Sequence, residues 1–209
     1  MSNVSDIAAE VPTKQRLLDA AQAIFAAKGY EAASVADICD FANANRAAIS
    51  FHFGGKERLY IESVKAAHLC CIGGEPFPEW PAGTPATERL RGFIRTMVRR
   101  MVVEATAVES TLMMREMIEP TAACFEVVRE YIRPVADILR GILTELLPNA
   151  DSESVFLAGF SIVGQCLYYK QNRPVSRILM GDTAYESLSA DRIADHISAF
   201  TLRGLGVTP

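Results

Sequence analysis

Asn45, Arg46, Ala47, Ser50, Phe51, His52 and Lys56 bring an amide, a guanidinium, a methyl, a hydroxyl, an aromatic ring, an imidazole and an ammonium into one short segment. Arg and Asn can make paired hydrogen bonds to base edges, Ala and Phe can meet a thymine methyl, and Ser, His and Lys can hold phosphates. That combination suits the reading of double-stranded DNA, provided that a helix carries it. No comparable set exists for bond-making chemistry. The chain has no H-E-x-x-H, no G-x-S-x-G, no Walker loop and no dinucleotide fingerprint, and His52, His68 and His196 stand apart. Neither an enzyme, a cofactor nor a metal site is expected.

Two short helices set across a tight turn would position these groups. Ser34 can cap the first through its hydroxyl, and Asp37, three residues on, complements the exposed N–H groups and the helix dipole. Val35, Ile38, Phe41 and Ala42 repeat at helical spacing and predict its inward face. Asn43-Ala44-Asn45 ends that helix, because Asn tolerates left-handed backbone angles and bonds locally to the backbone. In the helix that follows, Ile49 and Phe53 face inward, which leaves Arg46, Ala47, Ser50 and Phe51 largely on the other sides. So short a helix is not stable alone. Its scaffold lies upstream, where Leu17, Leu18, Ala21, Ile24 and Phe25 stripe a helix from about Thr13 to Lys28 that Gly29 terminates.

Thr13-Lys14 through Phe25, Gly29-Tyr30, Ser34-Val35, Asp37-Ile38, Phe51-His52-Phe53 and Lys56-Glu57 agree in order and spacing with one family. Residues 13 to 60 resemble the N-terminal domain of TetR-family transcriptional regulators. The run Asn45 to Glu57 resembles the CecR-like subgroup, as do Arg115-Glu116, Glu119-Pro120-Thr121 and Gly164-Gln165-Cys166-Leu167. The resemblance implies an all-α protein. A flexible start at 1–12 would precede an N-terminal three-helix helix-turn-helix DNA-binding domain at 13–60 and a helical effector-binding and dimerisation domain at 61–209. Arg46 is expected to read a base edge with Asn45, Ala47 and Phe51 beside it, and Lys14, Ser34, His52 and Lys56 to hold phosphates. Asn43 stands where the family has a turn glycine, and Ser50 and Phe51 stand where it has two tyrosines. Phe51 lacks the hydroxyl through which that tyrosine binds phosphate, leaving apolar contact with a thymine methyl or a sugar.

With 209 residues, 50% hydrophobic, the chain can bury one small and one medium core. Met1 to Pro12 has neither a basic start nor an apolar run, so it reads as neither signal peptide nor anchor. No apolar segment is long enough to span a bilayer, and a cytoplasmic location is expected. The net charge is −4, and in residues 1 to 60 six Lys and Arg against seven Asp and Glu leave −1. DNA binding must therefore rest on placement: Lys14, Arg46 and Lys56 lie near helix starts, where backbone N–H groups also attract phosphate. Cys39, Cys70, Cys71, Cys124 and Cys166 are odd in number and lack C-x-x-C spacing, against a disulfide scaffold or a zinc site. Core packing accounts for most of them, while the vicinal Cys70-Cys71 could sense oxidants or soft metals.

Beyond Tyr60 a helix to about Cys71 is expected to link the two domains as a lever. Gly73 to Pro85 is too rich in Gly and Pro for regular structure, and its Phe77 and Trp80 are either a lid over a pocket or anchors on the core. Leu90, Phe93, Ile94, Met97, Val98, Met101 and Val102 mark an amphipathic helix. Its other face carries Arg91, Arg95 and Arg99, read as solvated or paired with acidic neighbours rather than bound to nucleic acid. Glu109 to Glu119 predicts a further helix. Thr121 to Leu147 predicts a longer one, kinked at Pro134, with Val128, Ile132, Val135, Ile138, Leu139, Ile142 and Leu146 inward.

Met97, Met101, Met113, Met114 and Met117, with Trp80, Arg115, Glu116 and Gln165 nearby, either line a pocket for a small apolar or amphipathic molecule or are ordinary core. Val155 to Tyr169 is apolar nearly all round and must be covered on both sides. Phe156, Phe160, Val163 and Leu167 are expected to join Ile193, Ile197 and Phe200 of the last helix in a homodimer interface, the place the family uses for its four-helix contact. A two-fold dimer implies a palindromic operator. The expected function is a repressor released from that operator by a small-molecule effector. Activation by the same fold, redox response through Cys70 and Cys71, and a helical enzyme or carrier with a vestigial DNA head are the alternatives.

Overall fold

The computed structural model describes residues 11–103 and 105–207, and all regular structure within them is helical. Of the flexible start expected at 1–12, residues 1–10 lie outside the described residues. In chain order the helices are α1 (Thr13–Ala32), α2 (Val35–Ala42), α3 (Arg46–Phe53), α4 (Lys56–Ile72), α5 (Ala86–Val102), α6 (Ala107–Ile118), α7 (Ala122–Val127), α8 (Arg133–Leu146), α9 (Ser152–Gln171), α10 (Arg173–Met180), α11 (Asp182–Glu186) and α12 (Ala190–Gly204). A π-helical turn, Val128–Ile132, joins α7 to α8.

The chain divides into two compact units: one takes it up to His68 together with Thr106–Val127, the other Leu69–Ala105 together with Val128 onward. In the first, Leu17, Phe25, Ile38, Ile49, Leu59 and Leu112 are fully buried. Leu112 belongs to α6, so α6 is part of this core, although it lies far along the chain. Two bonds lock it there: Arg115 Nε donates to the Ala26 carbonyl (2.9 Å) and Nη2 to that of Ala27 (3.2 Å). The unit thus departs from the division drawn at residue 60, because α1 needs a partner that the first 60 residues do not supply. Gly29 breaks α1 at φ 77°, as its position predicts, but one further helical turn follows to Ala32.

In the second unit α5 lies at the centre. Leu90, Phe93, Ile94 and Val98 pack with Leu139, Ile142 and Leu143 of α8, Ile162 and Cys166 of α9, and Ile193, Ala194, Ile197 and Leu202 of α12. Arg95 and Arg99 on the outer face are paired, Arg95 with Asp195 (3.1 Å) and Arg99 with Asp191 (3.0 Å) and Glu75 (3.3 Å). The single kinked helix expected over 121–147 is three pieces instead. Val128 and Ile132 fall in the π turn and are exposed rather than inward, because the wider turn rotates them off the face that Leu139 and Ile142 share. Pro134 opens α8, where its missing N–H has no partner to lose.

Candidate nucleic-acid interface

The first unit builds its exposed helix from local signals. Ser34 Oγ accepts from the Asp37 backbone N–H (3.0 Å) while the Asp37 carboxylate accepts from the Ser34 N–H (3.1 Å), a reciprocal cap at the start of α2. Lys28 reaches the same carboxylate at 2.9 Å and ties α1 to α2. The Lys28 ammonium, with the Ser34 hydroxyl and N–H behind it, holds the Asp37 carboxyl down at about 2. Asn43 ends α2 in the left-handed region, φ 47°, doing what a glycine would. Asn45 Oδ1 then accepts from the Ala48 N–H (2.8 Å) and starts α3.

Helix α3 is seated by Ile49, 1% exposed, and Phe53, 6%. Arg46, Ala47, Ser50 and Phe51 are all exposed, Phe51 at 85%. Asn45, Ser34 and Lys14 are exposed as well, while His52 and Lys56 are half-buried. Lys14 Nζ lies 5.8 Å above the Phe53 ring. Lys56 Nζ sits 4.5 Å over the Tyr30 ring and donates to the Glu31 carbonyl (3.4 Å). The face is therefore an apolar ring and a methyl between a guanidinium and flanking amide, hydroxyl and ammonium groups. Such a surface can satisfy base edges and phosphates together.

The same unit holds a buried polar knot. Tyr60 Oη donates to Glu116 Oε2 (2.7 Å), and Glu116 Oε1 accepts from the Thr121 N–H (2.6 Å), the Thr121 hydroxyl (2.8 Å) and the Cys124 N–H (3.0 Å). Burial, then the bond to Glu116, pushes the Tyr60 phenol well above its usual range. Tyr60 also meets Phe25 edge-on at 4.8 Å. The bonds fix α4, α6 and the start of α7 as one piece.

One expectation for this unit changes, and one contact is new. Phe41, expected inward, is 66% exposed, because α2 buries Ile38, Cys39 and Ala42 and so turns Phe41 outward. The signal was present, since a face centred on Cys39 rather than on Phe41 fits the same spacing. Arg115 caps the C-terminal carbonyls of α1; nothing local in the sequence marks that contact, which joins residues almost 90 apart.

The proposed pocket residues are divided between the two units. Met97 and Met101 belong to the second, Met101 in its core, whereas Met113, Met114 and Met117 belong to the first, with Met114 and Met117 exposed. Gln165 Nε2 bonds the Ser161 carbonyl of its own helix. Trp80 is packed on α5 as an anchor: a Cβ at Gly92 would stand 3.1 Å from its Nε1. Phe77 stacks on Phe93 at 4.8 Å. Burial raises the thiols of Cys39, Cys124 and Cys166, the last to about 12, which leaves them poor nucleophiles. Among the described residues no helix is long and apolar enough to cross a membrane.

The expected dimer face is partly displayed and partly not. Phe156, Phe160 and Phe200 are exposed, Val163 and Leu167 half-buried, and Gly164 stands open. Ile193 and Ile197 are not available to a partner. They lie in the core of their own unit, 6% and 1% exposed, because α12 turns that edge to α5.

A sequence profile described as bacterial regulatory proteins of the tetR family matches residues 17–62, and one described as the C-terminal domain of the HTH-type transcriptional dual regulator CecR matches residues 86–205. The HTH-type transcriptional dual regulator CecR of Shigella flexneri is 27% identical over 197 residues, 86% of this chain and 85% of that protein. The biofilm operon icaADBC negative transcriptional regulator IcaR of Staphylococcus aureus is 34% identical over 59 residues, only 28% of this chain and 30% of that protein. Among solved structures, a TetR-like transcriptional regulator from Rhodococcus sp. RHA1 superposes with a TM-score of 0.56 at 18% identity, covering 95% of this chain and all of the other. The hemolysin II transcriptional regulator HlyIIR does so at 0.53 and 23%, covering 89% and 97%. At those identities the two structures show the shared fold alone.

Proposed function

Because this chain belongs to the TetR family of bacterial transcriptional regulators and carries a CecR-type C-terminal domain, we propose that it acts in the cytoplasm as a homodimeric repressor, released from a palindromic operator by a small-molecule effector. The observation that carries the DNA-reading part is α3 itself. It is capped at Asn45, seated by Ile49 and Phe53, and presents Arg46, Ala47, Ser50 and Phe51 to solvent.

In this reading Arg46 takes a base edge and Ala47 and Phe51 take thymine methyls or sugars. Asn45 has spent its oxygen on the cap and acts through its amide N–H groups, while Ser34 still has its own O–H to donate. Lys14, His52 and Lys56 hold phosphates. With the first 60 residues at −1, one head binds weakly and two half-sites are needed, which the exposed Phe156, Phe160 and Phe200 would supply by pairing two chains. DNA then selects dimers whose heads match the operator spacing, and the effector selects another spacing. α4, running out of the DNA-binding unit past His68, is the element to carry that change. The Shigella relative is described as a dual regulator, which favours a second reading in which the same occupancy activates some promoters.

Selection of genomic fragments by the purified full-length protein tests this. Enrichment of an inverted repeat near promoters is expected. Recovery of fragments without a shared sequence would overturn it, and the genes beside enriched sites would indicate the effector class.

A further inference from the structure

Helix α10 is built the wrong way round for a protein surface. Its buried residue is Ser176, and the Ser176 hydroxyl meets no hydrogen-bond partner among the described residues. The large apolar side chains point outward, Ile178 at 83% and Leu179 at 74% exposure, with Val175 and Met180 about half exposed. Val175, Ile178 and Leu179 stand at i, i+3 and i+4 and so form one strip. The helix is nevertheless braced. Arg177 bonds Asp182 (2.7 Å) and Glu186 (2.8 Å) of α11 and lies over the Tyr185 ring, making α10 and α11 one hairpin. Eight residues do not hold a helix alone, and a braced helix that shows its apolar side to water calls for a cover.

We propose that a second copy of this chain is that cover, with α10 serving as an arm that extends the dimer contact beyond α9. The inference rests on the dimeric reading given above. α10 starts where α9 ends, Asn172 closing one helix and opening the other. α9 itself leaves Phe156, Leu157, Phe160 and Tyr168 exposed, so outward apolar surface continues from one helix into the next. A lipid surface is the poorer match, since Arg177 beside the strip is already neutralised by Asp182 and Glu186. In a two-fold assembly each arm occurs twice, so a substitution in it is felt at two places.

Sedimentation equilibrium on the full-length protein, the double variant I178E/L179E and the variant Phe160→Glu provides the test. Both variants change only exposed side chains, so unchanged helical circular dichroism is expected. I178E/L179E should raise the dimer dissociation constant by at least about 30-fold. In the unmutated protein, hydrogen exchange at 173–180 should slow as concentration drives dimerisation, an arm that stands even if the variant loses helix. If Phe160→Glu separates the subunits while I178E/L179E leaves the constant unchanged, and exchange at 173–180 ignores concentration, the arm is overturned and the dimer stands. If the unmutated protein sediments as a monomer throughout, the dimeric reading itself fails. Wild-type binding to anionic phosphatidylserine vesicles, lost in I178E/L179E with the dimer constant unchanged, would make lipid the occupant and overturn the proposal.

Discussion

Helices α3 and α10 are both eight residues long, and both leave at least half of their residues exposed, yet they are made on opposite plans. α3 is capped at its start by Asn45 and at its end by Gly54 in the left-handed region, and buries Ile49 and Phe53. α10 has no side-chain cap, buries a serine, and holds its shape through Arg177 and the acids of α11. The first is finished within its own unit and presents groups that suit a polyanion. The second leaves its apolar strip unfinished and suits another apolar surface. An exposed aromatic such as Phe51 and an exposed aliphatic strip such as Val175, Ile178 and Leu179 thus carry different meanings, and what separates them is the residue on the buried side.

The largest expected effect breaks the seat of α3. Ile49→Ala removes a fully buried side chain and should destabilise the DNA-binding unit by about 2–5 kcal/mol in urea unfolding. A loss below about 1 kcal/mol would mean that α3 is held by its caps alone. Next comes its exposed face. Arg46→Ala should leave stability unchanged and weaken operator binding by about 1–3 kcal/mol, relaxing preference at one base position. Equal losses on operator and scrambled DNA would make Arg46 a phosphate contact instead.

The caps rank third. Asn45→Ala should cost about 1 kcal/mol, read as a lowered unfolding midpoint with DNA affinity falling in proportion. At α2 the Asp37 carboxyl is depressed to about 2, below its unfolded value near 3.9. A depressed acid contributes stability that is present above the unfolded value and is lost as pH falls through the folded one. Lys28→Ala should therefore narrow the difference in stability between pH 4 and pH 2 by lowering it at pH 4 and equally at pH 7, by a small amount because the pair is exposed. An unaltered acid transition would show that Lys28 does not hold Asp37 in solution.

How legible each region was follows from the reach of its signals. α2 and α3 were readable because Ser34, Asp37, Asn43, Asn45 and Gly54 act within a few residues of where they stand. The seat of α6 was not, since Arg115 and Glu116 act on Ala26, Ala27 and Tyr60 and nothing near them in sequence says so. Periodicity named Ile193 and Ile197 as apolar but could not say whether α5 or a second chain covers them. The same limit misplaced Phe41 and joined methionines that the fold assigns to different units. Val128 and Ile132 slipped because a π turn adds a residue to the repeat that spacing assumes.

The smallest expected effect is the sharpest test of the comparison. In a helix seated like α3, truncating the buried residue removes packing and destabilises. In α10 the buried residue is Ser176, whose hydroxyl has been taken from water without gaining a bond. Ser176→Ala removes that desolvated oxygen and loses almost no volume. Unfolding in urea should therefore show a change within about 0.5 kcal/mol, toward stabilisation, and the dimer constant should stay the same because Ser176 faces away from the proposed contact. A loss of 1 kcal/mol or more would show that the hydroxyl is bonded in solution, and that α10 is seated on its own unit more in the manner of α3 than its outward strip implies.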